Sequence, residues 1–211
     1  MAIIRTTAEV TRRKLRSDKE YEEALDRILA ESERTTQLIE DLMLLARADA
    51  NAEDSGPEPV RLDQLAKSAC EDLRVLAEAA GITLIVDISQ ECTVLGDCRA
   101  LRRLVLILLD NAIKYSHRGG EVRLRVRLSA ECAHPATIIE VRDHGAGIEP
   151  EHLPHIFDRF YRASKDRSRK IDGVGLGLSI AKVIACRHGG DIEVESIPGS
   201  GSIFRVLLPA A

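Results

Sequence analysis

The chain has 211 residues, enough for one full core and a smaller element, with 30 basic and 34 acidic side chains and a formal net charge of -4. Aromatic residues make up 3% and tryptophan is absent, so base stacking is poorly supplied and no nucleic-acid partner is expected. The imbalance falls in residues 1–56, because residues 57–211 hold 21 basic and 21 acidic side chains, and electrostatic steering must be local.

From the N terminus, Ile3, Ile4, Ala8, Val10 and Leu15 predict the tail of a helix, joined by a short turn over 16–18 to a long helix. In that second helix Tyr21, Leu25, Ile28, Ser32, Thr35, Ile39, Leu42 and Ala46 alternate steps of four and three, the spacing of a coiled-coil seam. Ser17 and Glu20 form a capping-box pattern at its start. Leu38, Met43, Leu44 and Leu45 widen the apolar face beyond one seam. Residues 1–50 therefore predict a helical hairpin that forms a homodimer, two hairpins making a four-helix bundle. Residues 51–59 lose this periodicity and gather Gly, Pro and acids, which marks a linker.

A second domain is expected over 60–211. It opens with a helix over 62–80 stopped by Gly81, a strand over 82–88, and an apolar helix from the Asp97 cap to about Ser116. Strands follow over 122–128 and 137–141, then a helix over 178–188 stopped by Gly189. A closing hairpin pairs 192–196 with 202–208 around Pro198-Gly199-Ser200-Gly201. The class is α+β, a mixed and largely antiparallel sheet with helices on one face. The five cysteines show no C-x-x-C pair, which argues for reduced thiols and against a zinc site. The central apolar run 104–109 is far short of the roughly 18 residues of a membrane span. The expected location is cytoplasmic, with a membrane tie only through segments upstream of this chain.

Three segments at element ends supply what a triphosphate needs. Asp110-Asn111-Ala112-Ile113-Lys114-Tyr115 places Asn111 and Lys114 on one helical face, an oxygen ligand for a hard cation and an ammonium for phosphate. Taken alone it is equally a solvated helix face. Asp143-His144-Gly145-Ala146-Gly147-Ile148 follows a strand, where a carboxylate accepts from an adenine amine and glycines admit close backbone approach. By itself such a pattern is more often a plain loop. Gly173-Val174-Gly175-Leu176-Gly177-Leu178 opens a helix without P-loop spacing, and amides at a helix start favour anions. Between the last two segments Arg159, Arg162, Lys165, Arg167, Arg169 and Lys170 crowd a stretch that reads as a lid over phosphates or, without its neighbours, as a solvated loop.

In this order and spacing the segments resemble the N, G1 and G2 boxes of sensor histidine kinases, and Ile156-Phe157-Asp158-Arg159-Phe160-Tyr161-Arg162 resembles their F box. The likeness covers residues 57–211, and the stretch 38–50 resembles the end of a second dimerization helix. The resemblance implies a two-layer α/β sandwich of the ATPase superfamily shared with gyrase and mismatch-repair proteins. It implies ATP with Mg²⁺ as cofactors, transfer of the γ-phosphoryl group to a histidine, and a response regulator receiver domain as partner. Asn111 would hold Mg²⁺, Lys114 would contact phosphate, and Tyr115 would pack near base and sugar. Asp143 would read the adenine amine in a pocket shaped by Gly145, Gly147 and Ile148, with Phe157 in the F box at the lid. Gly173, Gly175 and Gly177, with Val174, Leu176 and Leu178 between and after them, would hinge the lid and offer amides to the phosphates. Arg162 would reach the γ-phosphate, and Asp110 would orient or activate the accepting imidazole.

The chain departs from the family pattern in three places. The family's acceptor lies in an H-E-L-R-T-P-like segment, yet residues 1–116 contain no histidine, so self-phosphorylation at that site is not expected of this chain. Ala2-Ile3-Ile4-Arg5 resembles sequence just downstream of that segment, which implies a shortened start. Ile107 stands four residues before Asn111 where the family usually has a second asparagine, and Asp172 replaces a frequent glycine. Two further readings compete with a catalytic kinase fragment. One is a non-catalytic nucleotide-binding or dimerization module. The other is a serine kinase of the same superfamily, which the long hairpin disfavours.

Overall fold

The structure, a computed structural model of the chain, describes residues 2–12, 17–49, 58–88, 90–129, 135–163 and 174–211. It divides into two compact units, Met1–Ala52 and Glu53–Ala211.

The first unit packs α1 (Ala2–Arg12) along α2 (Asp18–Asp49). α2 starts where the capping pattern places it: the Ser17 N–H donates to Glu20 Oε2 at 2.9 Å, and the Glu20 N–H donates to Ser17 Oγ at 3.4 Å. Both donors belong to the set that a helix start leaves without internal partners. Leu25, Leu29, Ile39 and Met43 are more than half exposed along α2, an apolar surface that this unit does not cover by itself.

The second unit runs, in chain order, through β1 (Glu58–Arg61), α3 (Leu62–Ala80), β2 (Thr83–Ile88), β3 (Thr93–Gly96), α4 (Cys98–Tyr115), β4 (Glu121–Ser129) and β5 (Ala136–Asp143). A 3-10 turn at Leu153–His155, α5 (Gly177–Arg187), β6 (Asp191–Ile197) and β7 (Gly201–Pro209) complete it. The main sheet has the order β2-β4-β5-β7-β6; β2 lies parallel to β4 and every other neighbour is antiparallel. Strand alternation sends Val122, Leu124, Val126, Ile139, Val141, Phe204 and Val206 to one face, where α3, α4 and α5 pack. Leu101, Leu104 and Leu108 of α4 and Ile180 and Ile184 of α5 are fully enclosed there, each contributing on the order of 2 kcal/mol by burial.

The opposite face carries one row of alternating charge through all five strands. Arg125 meets Asp87 at 2.8 Å and approaches Glu140 to 4.0 Å, and Arg205 meets Glu140 at 2.8 Å and Glu195 at 2.5 Å. Residue registers place opposite charges directly across or diagonally on neighbouring strands.

Helix ends follow local chemistry. Gly81 stops α3 at φ 72°, a left-handed conformation that suits glycine, and its N–H reaches the Ala77 and Glu78 carbonyls. Asp97 caps α4 by accepting from the Arg99 and Ala100 amides at 2.7 and 3.2 Å. At the other corner Arg61 forks onto buried Asp63 with two bonds of 2.9 Å, while Asp63 also accepts from the Cys92 amide at 3.3 Å. Arg61 holds the Asp63 carboxyl down to about 2, against an ordinary 3.8.

One boundary differs from expectation. Glu58 and Pro59, expected in the linker, are the first residues of β1, which pairs with β3. Proline is tolerated because this two-stranded ladder is all edge. Residues 51–57 and Cys132, one of the five cysteines, lie outside the described residues.

Candidate functional site

Two predicted motifs meet where α4 ends. Asp143 is the last residue of β5, pairs with Val122, and is only 4% exposed. Burial pushes its carboxyl above the ordinary range, opposed by hydrogen bonds from the Gly145 and Ser202 amides. The Gly145 N–H donates to Asp143 Oδ1 at 2.9 Å. A buried carboxylate with part of its acceptor capacity unfilled favours a further donor.

The glycines here are required by contact. A Cβ on Gly145 would lie 2.1 Å from the Tyr115 carbonyl oxygen, and Gly145 bridges Ser116 as a single antiparallel pair. The Ala146 N–H donates to the same Tyr115 oxygen at 3.2 Å. On the other side a Cβ on Gly147, at φ 67°, would lie 2.1 Å from the Ile197 oxygen. The Gly199 N–H donates to Ala146 O at 2.7 Å, and the Ile148 N–H donates to Ser196 Oγ at 2.8 Å. The loop is thus held between the end of α4 and the β6–β7 turn.

Asp110 and Lys114 form an i,i+4 ion pair at 2.5 Å, both side chains about one-third exposed. Asn111 is half-buried and Tyr115 exposed. Ile107, where a polar residue was expected, is 6% exposed; its Cγ2 would lie 3.3 Å from a Cβ on Gly177. The apolar side chain is part of the packing between α4 and the first turn of α5. That turn is closed by Ser179 Oγ donating to Leu176 O at 2.8 Å. Leu176 is buried, Gly177 and Leu178 are half-buried, and Val174 is exposed.

The segment read as an F box packs on the glycine turn before α5. Phe160 takes φ 65°, a conformation uncommon outside glycine, and its N–H donates to Gly175 O at 2.9 Å. Gly175, at φ 77°, has no room for a Cβ: Phe160 C and Tyr161 O would each lie 2.8 Å away. Phe157 is half-buried under the Lys182 ammonium, 5.5 Å from its ring centroid, and Lys182 is also paired with Asp191. Arg162 is exposed at the end of this segment. Gly173 and the cations Lys165, Arg167, Arg169 and Lys170 lie outside the described residues.

The predicted residues therefore gather into three contacts: Tyr115 with Gly145, the N-box helix with Gly177, and the F-box turn with Gly175. Sequence reasoning missed the support behind Asp143. Gly201, at φ 99°, would place a Cβ 2.1 Å from the Asp143 backbone carbonyl oxygen, and Ser196 Oγ donates to Gly201 O at 3.0 Å. Gly199 and Gly201 were read as a hairpin turn, yet a second glycine after the turn was a signal of close backbone approach. Lys182 over Phe157 had no signal, because the pair joins two segments far apart in sequence.

Residues 96–211 match the model of the histidine kinase-, DNA gyrase B- and HSP90-like ATPases, and residues 1–51 match that of the His kinase A phospho-acceptor domain. The sensor histidine kinase RppB of Synechocystis sp. is 42% identical over 177 residues, covering 83% of this chain and 38% of that protein. The solved structure of the mycobacterial sensor histidine kinase MprB is 30% identical with a TM-score of 0.62, over 73% of this chain and 97% of that one. Full-length ShkA in complex with AMPPNP is 25% identical with a TM-score of 0.77, over 99% of this chain and 42% of that one. The chain spans about two fifths of the length of the curated relatives it matches.

Proposed function

The chain belongs to the histidine kinase-, DNA gyrase B- and HSP90-like ATPases, and from that premise we propose that it is the catalytic portion of a sensor histidine kinase. It binds ATP with Mg²⁺ and transfers the γ-phosphoryl group to a histidine, for relay to the receiver domain of a response regulator. The observation that carries the reading is the buried Asp143 carboxyl set among glycines that approach backbone too closely for any side chain. A carboxylate so placed accepts from an exocyclic amine, which selects adenine over a base that presents a carbonyl there.

Around it Gly145, Gly147 and Ile148 shape the base pocket, Tyr115 flanks base and sugar, and Lys114 reaches phosphate. Gly173, Gly175 and Gly177 hinge the lid, with Val174, Leu176 and Leu178 in the same turn offering amides to the phosphates. Phe157 anchors the lid at its base, and Arg162 meets the γ-phosphate. Asp110 orients the accepting imidazole. Lys114 is not committed to Asp110: an exposed i,i+4 pair contributes about 0.5 kcal/mol, less than a charge-assisted bond to phosphate. The protein donor set for a metal is sparse, because Ile107 is apolar and Asp110 is paired with Lys114. It fits a cation held by the Asn111 oxygen that takes its remaining ligands from phosphate and water. When bound, Mg²⁺ supplies charge neutralisation on the phosphate oxygens; the residues themselves position and shield, which is what phosphoryl transfer requires.

Residues 1–50 form part of a dimerization hairpin, 51–57 a linker, and the catalytic domain opens with β1 at Glu58 and runs to residue 211. The exposed Leu25, Leu29, Ile39 and Met43 support a homodimer through the hairpin. The accepting histidine is not one of residues 1–116. No helix among the described residues is long and apolar enough to cross a membrane, and the domain works on the cytoplasmic side. Ile107 does not favour a non-catalytic module, because its packing against the first turn of α5 accounts for it. Calorimetric titration with AMPPNP, with and without Mg²⁺, tests the assignment. Binding that Mg²⁺ strengthens is expected, and no binding in either condition overturns it.

A further inference from the structure

α4 and α5 run antiparallel, and each carries part of the candidate site at one end: Asn111 and Lys114 on α4, the glycine turn before α5. At that near end Ile107 lies against Gly177. At the far end a single imidazole joins the helices. His188, the residue that ends α5, has Nδ1 2.7 Å from the Ile184 carbonyl oxygen and Nε2 3.0 Å from the Asp97 backbone nitrogen. A carbonyl only accepts and a backbone N–H only donates, so the ring proton sits on Nδ1 and Nε2 is the acceptor. The Asp97 carboxylate is meanwhile engaged with the Arg99 and Ala100 amides, so one residue ties the α4 start to its own first turn and to α5. The ring occupies space that exists only because residue 96 is glycine: a Cβ there would lie 2.3 Å from His188 Cδ2 and 2.6 Å from Nε2.

We propose that His188 is a positioning residue for the nucleotide site, fixing the far end of the α4–α5 pair while Ile107 and Gly177 fix the near end. The ten residues between Asp97 and Ile107 separate the two fixed points by about 15 Å, and Asn111 lies about 6 Å beyond the second. Loosening the far point by 1 Å therefore displaces the Asn111 turn by about 0.4 Å, close to the tolerance of a bound phosphate–metal geometry. The inference rests on the reading of these helix ends as the nucleotide site.

Three single variants of the full chain, and the double variant His188→Phe with Gly96→Ala, separate this role from space filling. His188→Phe keeps the ring and loses the acceptor, His188→Gln keeps an acceptor within reach of the Asp97 N–H, and Gly96→Ala displaces the imidazole. Without nucleotide, hydrogen exchange at Arg99 to Leu101 and at Ile180 is expected to quicken together in His188→Phe and Gly96→Ala and to stay near wild type in His188→Gln. With AMPPNP and Mg²⁺, the first two variants should each bind about fivefold more weakly, and the double variant no more weakly than either, since both break one link. His188→Gln should remain within about twofold of wild type. Nitrogen chemical shifts of His188 should report the proton on Nδ1. Wild-type exchange and affinity in His188→Phe, multiplying effects in the double variant, quickened exchange confined to residues 99–101, or a proton on Nε2 would each overturn the proposal. If wild type binds no nucleotide, the functional reading fails, and the exchange experiment still decides whether His188 couples the two helices.

Discussion

The two ends of the candidate site are built in different ways. Around Asp143 the contacts are backbone to backbone, with glycines packed so closely that an added Cβ would lie 2.1 Å from a neighbouring carbonyl oxygen, and the carboxyl is buried. Around Lys114 and Phe157 the contacts are long side chains, partly exposed and paired with one another. On the proposed reading the first end holds the base, which has one shape and one edge to read, so its pocket is preformed. Phosphates change in number and charge during the reaction, and groups that serve them must exchange partners cheaply. The base end therefore trades stability for readiness, whereas the phosphate end keeps its charges satisfied until a ligand takes them.

Substitutions break this contrast in a graded order. Gly145→Ala should be the most damaging, because the new Cβ meets the Tyr115 carbonyl and neither backbone can yield; a loss of about 3 kcal/mol or more in urea denaturation is expected, with nucleotide binding abolished. Asp143→Asn should cost about 2–3 kcal/mol of nucleotide affinity, as an amide donor faces the adenine amine. Its effect on folding has the other sign. A carboxyl whose folded pKa is raised removes stability above its unfolded value, and that cost is relieved as pH falls. The variant should melt no lower than wild type while failing to bind, and wild-type affinity should weaken in acid as Asp143 is protonated.

At the phosphate end Lys114→Met should weaken AMPPNP binding by about tenfold and leave adenosine affinity unchanged, a split that calorimetry resolves. Equal losses for both ligands would erase the distinction between the two ends. A last effect, on stability alone, lies outside both. Asp63, held at about 2 by Arg61, contributes stability that is present above its unfolded value near 3.8 and lost as pH falls toward 2. Asp63→Asn should remove that acid-dependent component, about 1–2 kcal/mol, without changing nucleotide affinity.

The larger elements were legible because their ends are written locally. Asp97 caps α4 and Gly81 stops α3 through contacts within four residues, and the strands alternate over enough positions to show a period. β1 and β3 were not read. Each has four residues, one includes Pro59, and they form only by meeting across some thirty positions of chain. The site divides in the same way. Asp143, Gly145 and Gly147 announced themselves by spacing and Gly201 left a fainter mark as a second glycine after its turn, whereas Lys182 over Phe157 and His188 against Gly96 are long-range contacts with no local trace. At Ile107 the resemblance shows only the polar group that the position lacks, because its packing partner Gly177 lies seventy residues away in the chain.

The charge row on the open face of the sheet has a thermal consequence. Hydration of ions becomes less favourable as temperature rises, so the cost of drawing Asp87, Arg125, Glu140, Arg205 and Glu195 together falls on heating, while apolar burial under the helices levels off. The two faces of one sheet thus respond differently to warming. The outer face gains weight as the temperature climbs, and it joins all five strands.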